Sequence, residues 1–179
     1  MDLQLIIVVE ANKKSKSDWI YIKDTIDHFY QYDPTEVRLS PVYMDGKGKY
    51  KIKEREIRKL ISGYAYSSRT NKNRQSYVIY CFDCDEYDIK QEDNMFLQEA
   101  KRYCDEHGYE FVWFCKDIER VYLGRKIDDS QKTKEAAAFK ARKLIAGVDK
   151  NRLSIASYRD NTSNILKILD TYLKRKSEH

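Results

Sequence analysis

The chain has 179 residues, 41% of them hydrophobic and 35% charged, which suits one domain of ordinary size with a real core and a well-solvated surface. Two prolines and six glycines argue against long loops. With no apolar run of membrane-spanning length and no signal-peptide pattern, a cytoplasmic protein is expected and a membrane partner is not. The net charge of +5 is unevenly placed. Residues 45–76 carry ten Lys or Arg against three acids, residues 77–115 three against ten, and residues 116–179 sixteen against nine. An acidic centre between basic segments suits a metal-dependent enzyme acting on a polyanion; solvated helix faces are the plainer account.

Residues 3–9, LQLIIVV, are an uninterrupted apolar run of the kind that a strand covered on both faces requires, and Glu10 ends it. A basic polar loop, ANKKSKS, follows, with Ser17 or Asp18 able to cap a helix over residues 18–31. Residues 37–43, VRLSPVY, read as a weaker strand that Pro41 moves toward a sheet edge. The turn MDGKGKY brings Lys47 and Lys49 and lets backbone N–H groups approach a phosphate, without Walker spacing. A basic helix over residues 53–64 and a polar, basic connection over 67–75 lead to residues 76–88, SYVIYCFDCDEYD, the stretch around which the chain is organised.

Here a second buried strand runs into Asp83, Cys84 and Asp85. Alternate strand residues point the same way, so Asp83 and Asp85 are expected to aim at one point, an arrangement best tolerated around a divalent cation or a shared proton. Cys81-x-x-Cys84 has no second metal-binding pair downstream, so all four cysteines are expected to be reduced and mostly structural. The fifteen tyrosines are expected chiefly in core and rim packing. A helix over residues 94–107 stops at Gly108, and a fourth strand, YEFVWFC, ends before Lys116, Asp117, Ile118 and Glu119. Residues 118–123 continue as a helix, residues 133–146 form an Ala-rich basic helix, and residues 161–176 have the spacing of one amphipathic helix.

The order β-α-β-α-β-α-β implies parallel strands joined by helical crossovers. Carboxyl ends of parallel strands share one sheet edge, where open α/β sheets place their ligands. Glu10, Asp83 with Asp85, and Asp117 with Glu119 are therefore expected to converge, although they span more than 100 residues.

A Glu after the first strand, IIVVE, and a DxD after a later one, YCFDCD, resemble the signature of the Toprim family, shared by primases, topoisomerases, a maturase type of ribonuclease and OLD-type nucleases. Asp18 resembles the acid that often follows the glutamate, and DIE at residues 117–119 resembles a further acidic position of the OLD and RloB-like branches. Glu10-Ala11 stands where the family has Glu-Gly, and the loop before Asp18 is longer by about three residues. The resemblance covers residues 3–123. It implies a Rossmann-like Toprim sandwich with a mostly parallel four-stranded sheet and helices on both faces. A catalytic domain over residues 1–125 and a C-terminal helical extension over 126–179, packed on it, are expected.

The resemblance also implies Mg²⁺- or Mn²⁺-dependent phosphodiester cleavage of DNA or RNA, in phage defence or RNA processing. Glu10, Asp83, Asp85 and Glu119 would be catalytic, and the same four with Asp117 would hold metal. Lys47, Lys49 and Lys116 would meet phosphate, and a separate ATPase is a possible partner. Two alternatives stand beside it: a non-catalytic module binding nucleic acid or a partner, and a nucleotide-handling protein of another family, against which the absence of GxGxxG and Walker motifs counts.

Overall fold

The two uninterrupted apolar runs become the two central strands of a computed structural model, which describes residues 2–66 and 73–177. The elements are β1 (Asp2–Val9), α1 (Ser17–Phe29), β2 (Tyr30–Gln31), β3 (Val37–Tyr43), α2 (Glu54–Tyr66), β4 (Arg74–Asp83), α3 (Gln91–His107), β5 (Glu110–Cys115), α4 (Ile118–Leu123), α5 (Lys132–Ala141), β6 (Thr162–Ser163), α6 (Ile165–Leu169) and β7 (Lys174–Arg175). A tight helical turn, Lys47–Lys53, leads into α2. Residues 67–72 of the polar connection expected over 67–75 lie outside the described residues.

The fold is mixed α/β with a mostly parallel five-stranded sheet, order β3-β1-β4-β5-β6. Four strands run parallel as the helical crossovers require; the fifth, β6, is antiparallel to β5 and departs from the expected four. Pro41 lies on the edge strand β3, where its missing N–H leaves no inner ladder bond unmade. Every residue of β1 is buried, so alternate side chains feed two cores. Leu5, Ile7 and Val9 join Tyr21, Ile26, Phe114, Tyr122 and Phe139 on one face. Ile6 and Val8 join Val78, Phe82, Ile57, Leu97 and Trp113 on the other. α2 and α3 cover the second face, whereas α1 shares the first with α4, α5 and α6. The C-terminal third therefore completes one of the two helical layers.

Residues 161–176 are not one helix. The spacing of Ile165, Leu166, Leu169 and Leu173 is apolar and helical, and all four are buried. The segment meets it with two strand residues, the five-residue α6, a turn and β7, which pairs antiparallel with β2. The Arg175 guanidinium and the Tyr30 hydroxyl both bond Asp170 and hold this ribbon in place. The helix expected over residues 133–146 ends at Ala141 and is followed by the turn Leu144–Gly147. All four cysteines are buried and unbridged. Among the described residues, no helix is long and apolar enough to cross a membrane.

Candidate functional site

The chain reverses its direction across the sheet between β1 and β4. β1 connects to β3 on one side, and the return places β4 on the other. A crevice at such a switch point, beyond the carboxyl ends of the strands, is where this architecture binds ligands. Glu10 and Asp83 stand there on neighbouring strands, and the Asp83 N–H donates to Glu10 Oε1 at 2.8 Å. The turn after β3 fixes the Glu10 backbone: Met44 N–H donates to the Val9 carbonyl at 2.8 Å and Gly46 N–H to the Glu10 carbonyl at 3.0 Å. Gly46 has φ 110°, a conformation that a side chain would strain.

Asp18 faces the same crevice. The helix cap expected at Ser17 or Asp18 is instead Lys16, and Asp18 Oδ2 accepts the Ala11 N–H at 2.8 Å across the loop. Asp83 Oδ1 accepts the Ile118 N–H at 2.9 Å. Among the described residues, Glu10 Oε2 and Asp83 Oδ2 accept no hydrogen bond. Glu119, on α4, is fully buried, and neither of its carboxylate oxygens has a hydrogen-bond partner. Its nearest cation is the Lys132 ammonium at 3.6 Å, supplied by α5. The Tyr21 hydroxyl, also buried without a partner, lies in the field of Glu119.

These acids are crowded. Burial pushes Glu10 up to about 8, against the Asp83 N–H that favours its charge, and Asp18 and Asp85 raise it further. Burial raises Asp83 well above the usual carboxylate range, with Glu10, Asp18 and Glu119 adding repulsion. Asp18 is raised by burial too. Glu119 is pushed up to about 7 by burial, opposed by Lys132 and reinforced by Asp18. Although burial works against its charge, Glu119, Asp83 and Asp129 hold Lys132 protonated. Glu10, Asp18, Asp83, Asp85 and Glu119 thus share one field, with Lys47 at the Glu10 end and Lys132 at the Glu119 end.

The other expected residues sit differently. β4 ends at Asp83, and Asp85 has φ 48°, so strand alternation no longer relates the two side chains. The Asp85 carboxylate pairs with Lys47, which also bonds Asp93 at 3.0 Å. Asp117 caps α4 by accepting the Arg120 N–H at 2.7 Å. Lys116 is buried against Glu86 at 3.0 Å and Asp88 at 3.3 Å, and Lys49 pairs with Asp45 at 2.9 Å on the surface. Each of these three lysines is therefore engaged by carboxylate. Lys132 carries no signal in the sequence: it closes an expected loop, and no local pattern relates it to Glu119. Asp18 has a signal in its place after the first strand.

The donor set suits a hard cation: oxygen only, with free carboxylate oxygens on Glu10 and Asp83 and orphaned ones on Glu119. Among the described residues, no three His, Cys, Asp or Glu side chains are gathered as a ready-made metal cage. Mg²⁺ does not require one, since it keeps several waters and takes one or two carboxylates together with substrate phosphates. Comparison with family models, with curated proteins and with solved structures finds no match for this chain.

Proposed function

We propose that the chain is a metal-dependent phosphodiesterase of the Toprim type, cutting DNA or RNA at the crevice between β1 and β4. The observation that carries this reading is the junction of Glu10 and Asp83, 73 residues apart in sequence and joined by a 2.8 Å hydrogen bond at the switch point of the sheet. The orphaned oxygens of the fully buried Glu119 support it, because a desolvated carboxylate without donors calls for a cation. Glu10 and Asp83 would hold Mg²⁺ or Mn²⁺, which supplies Lewis-acid polarisation of the phosphoryl group when bound.

The chain's own groups do the rest. Asp18 ties the loop after β1 to the start of α1 through the Ala11 N–H, and so keeps the backbone beside Glu10 in place. Glu119 orients Lys132, whose ammonium can neutralise the charge that grows on the phosphate oxygens. Lys132 fits that role better than Lys116 or Lys49 because it lies in the field of Asp83 and its carboxylates, at 3.3 and 3.6 Å, hold it less closely than those at 3.0 Å from Lys116 and 2.9 Å from Lys49. Asp85 with Lys47 and Asp117 with α4 support the loops around the crevice.

The test is a cleavage assay on single-stranded DNA, plasmid and structured RNA in Mg²⁺ and in Mn²⁺, with Glu10→Gln and Asp83→Asn beside the wild type. Metal-dependent cutting that falls at least about 100-fold in both variants is the expected result. Variants that cut like the wild type would refute the site. Binding without cutting in any metal would favour a non-catalytic module.

A further inference from the structure

Next to the acid crevice, on its β3 side, lies a cleft of about 440 Å³ lined by Asn12, Lys13, Lys14, Tyr43, Asp45 and Lys53. This is within the size range of small-ligand pockets. Its wall is continuous with the backbone that carries Glu10: Gly46 N–H donates to the Glu10 carbonyl at 3.0 Å and Asp45 N–H to the Ala11 carbonyl at 3.4 Å. Tyr43 lies in the field of Asp18, so cleft and crevice are neighbours.

The charge on this side is not neutralised. Among the described residues, the Lys14 ammonium has no counter-ion. Lys13 and Lys53 share one carboxylate, Glu56, at 4.0 Å and 3.6 Å. Asp45 is engaged by Lys49. Asn12 Oδ1 accepts the N–H groups of Lys14 and Ser15, both at 2.9 Å, which leaves its amide NH₂ as a free donor. The opposite flank differs. There, after β4, Glu86 and Asp88 share Lys116, and Asp85 and Asp93 share Lys47, which reaches across from the turn after β3. A polyanion held at the crevice therefore meets an excess of carboxylates over the loop after β4 and an excess of lysines on the β3 side.

We infer that this cleft binds the phosphodiester next to the one held at the acid crevice, with Lys13, Lys14 and the Asn12 amide on its oxygens, so that the nucleic-acid strand leaves the site across β3. The inference rests on the nuclease reading and adds the direction of the strand.

It is tested with fluorescein-labelled single-stranded DNA and RNA in metal-free buffer, read by anisotropy over a salt series, and with the cleavage assay above. The double variant Lys13→Glu/Lys14→Glu is compared with Lys13→Arg/Lys14→Arg and with Lys167→Glu, an exposed reversal on α6 that makes half the same change of net charge outside the cleft. Thermal melts check that all variants fold. We expect the double Glu variant to bind at least tenfold more weakly and to raise KM, while the Arg pair and Lys167→Glu stay within about twofold of the wild type. The slope of log affinity against log salt should shrink by about 0.7 for each phosphate that the variant no longer neutralises. A double Glu variant that binds and cuts like Lys167→Glu, while the wild type is active, would overturn the strand path and leave the nuclease reading intact. A wild type that neither binds nor cuts either polymer would overturn both.

Discussion

Glu119 is buried without the hydrogen bonds that a carboxylate normally keeps, and it faces Lys132 at 3.6 Å, too far for a close charge-assisted bond. A folded state that tolerates this is less stable than it need be, which is the usual mark of a functional group. Replacing the carboxylate by its neutral isostere relieves the desolvated charge and leaves Lys132 paired with Asp129 at 3.3 Å. Glu119→Gln should therefore be more stable by about 1 kcal/mol in metal-free buffer at pH 8. That corresponds to a Tm higher by roughly 2–4 °C. Nuclease activity should fall at the same time. A variant that melts lower than the wild type would mean that Glu119 is held by interactions that outweigh its desolvation. Glu10 and Asp83 were legible in the sequence, because each ends an apolar run long enough to be a central strand, and topology alone brings such ends together. Asp85 was legible as an acid near that edge, and it adds to the field on Glu10, but its direction was not, since alternation applies only while the chain remains a strand, and β4 stops two residues earlier. Asp18 was legible only by its place after the first strand, and Lys132 not at all, because it reaches the site through tertiary packing, which leaves no period in the sequence.

The central strands were legible at the scale of elements for the same reason: buried parallel strands read as continuous apolar runs. β6 was not legible, because two residues carry no periodicity. Its neighbour Asn164 shows how so short a strand suffices. The Trp113 N–H donates to Asn164 Oδ1 at 3.0 Å, and Asn164 Nδ2 donates to the Phe111 carbonyl at 2.9 Å. One side-chain amide thus offers β5 the donor and acceptor that a longer partner strand would have offered. Asn164→Ala should leave both backbone groups without these partners and cost about 2 kcal/mol. The Tm should fall by roughly 4–8 °C, measured by circular dichroism. Asn164→Asp is the sharper control. It keeps the acceptor for Trp113 but sets a carboxylate oxygen against the Phe111 carbonyl, so it should be no more stable than the alanine variant. An Asp variant equal to the wild type would argue that the amide is not bridging the edge. The helical spacing expected over residues 161–176 misled for a related reason. Successive turns bury every third or fourth residue much as a helix does, and the pairing of β7 with β2 decides between them.

At the scale of the molecule, the two faces of the sheet are covered unequally. α2 and α3 lie over one face, but of the crossover helices only α1 lies over the other. α4 adds Ile118, Val121 and Tyr122, and the rest of the cover comes from residues beyond 125: Ala136, Phe139, Ile145, Leu153, Ile165, Leu166, Leu169 and Leu173 are all buried in that core. Phe139 stands edge-on to Tyr21 at 4.9 Å, and Tyr21 stacks on Tyr122 at 5.2 Å, so the extension is interleaved with the residues it covers. Full burial of one such side chain is worth about 1.5–3 kcal/mol, and a domain's whole stability is about 5–15 kcal/mol. Removing seven such side chains and Ala136 takes away a contribution comparable with that whole stability and uncovers Tyr21 and Tyr122. A chain ending at residue 125 should therefore lose its cooperative melt and near-ultraviolet tyrosine signal, keep much of its helical signal, and bind a hydrophobic dye. It would also lack Lys132, so the layer that completes the fold and the cation beside Glu119 arrive on the same segment. Should the shortened chain melt cooperatively and still bind Mn²⁺, α1 and α4 alone would be enough to cover the sheet, and the extension's role would narrow to the placement of Lys132.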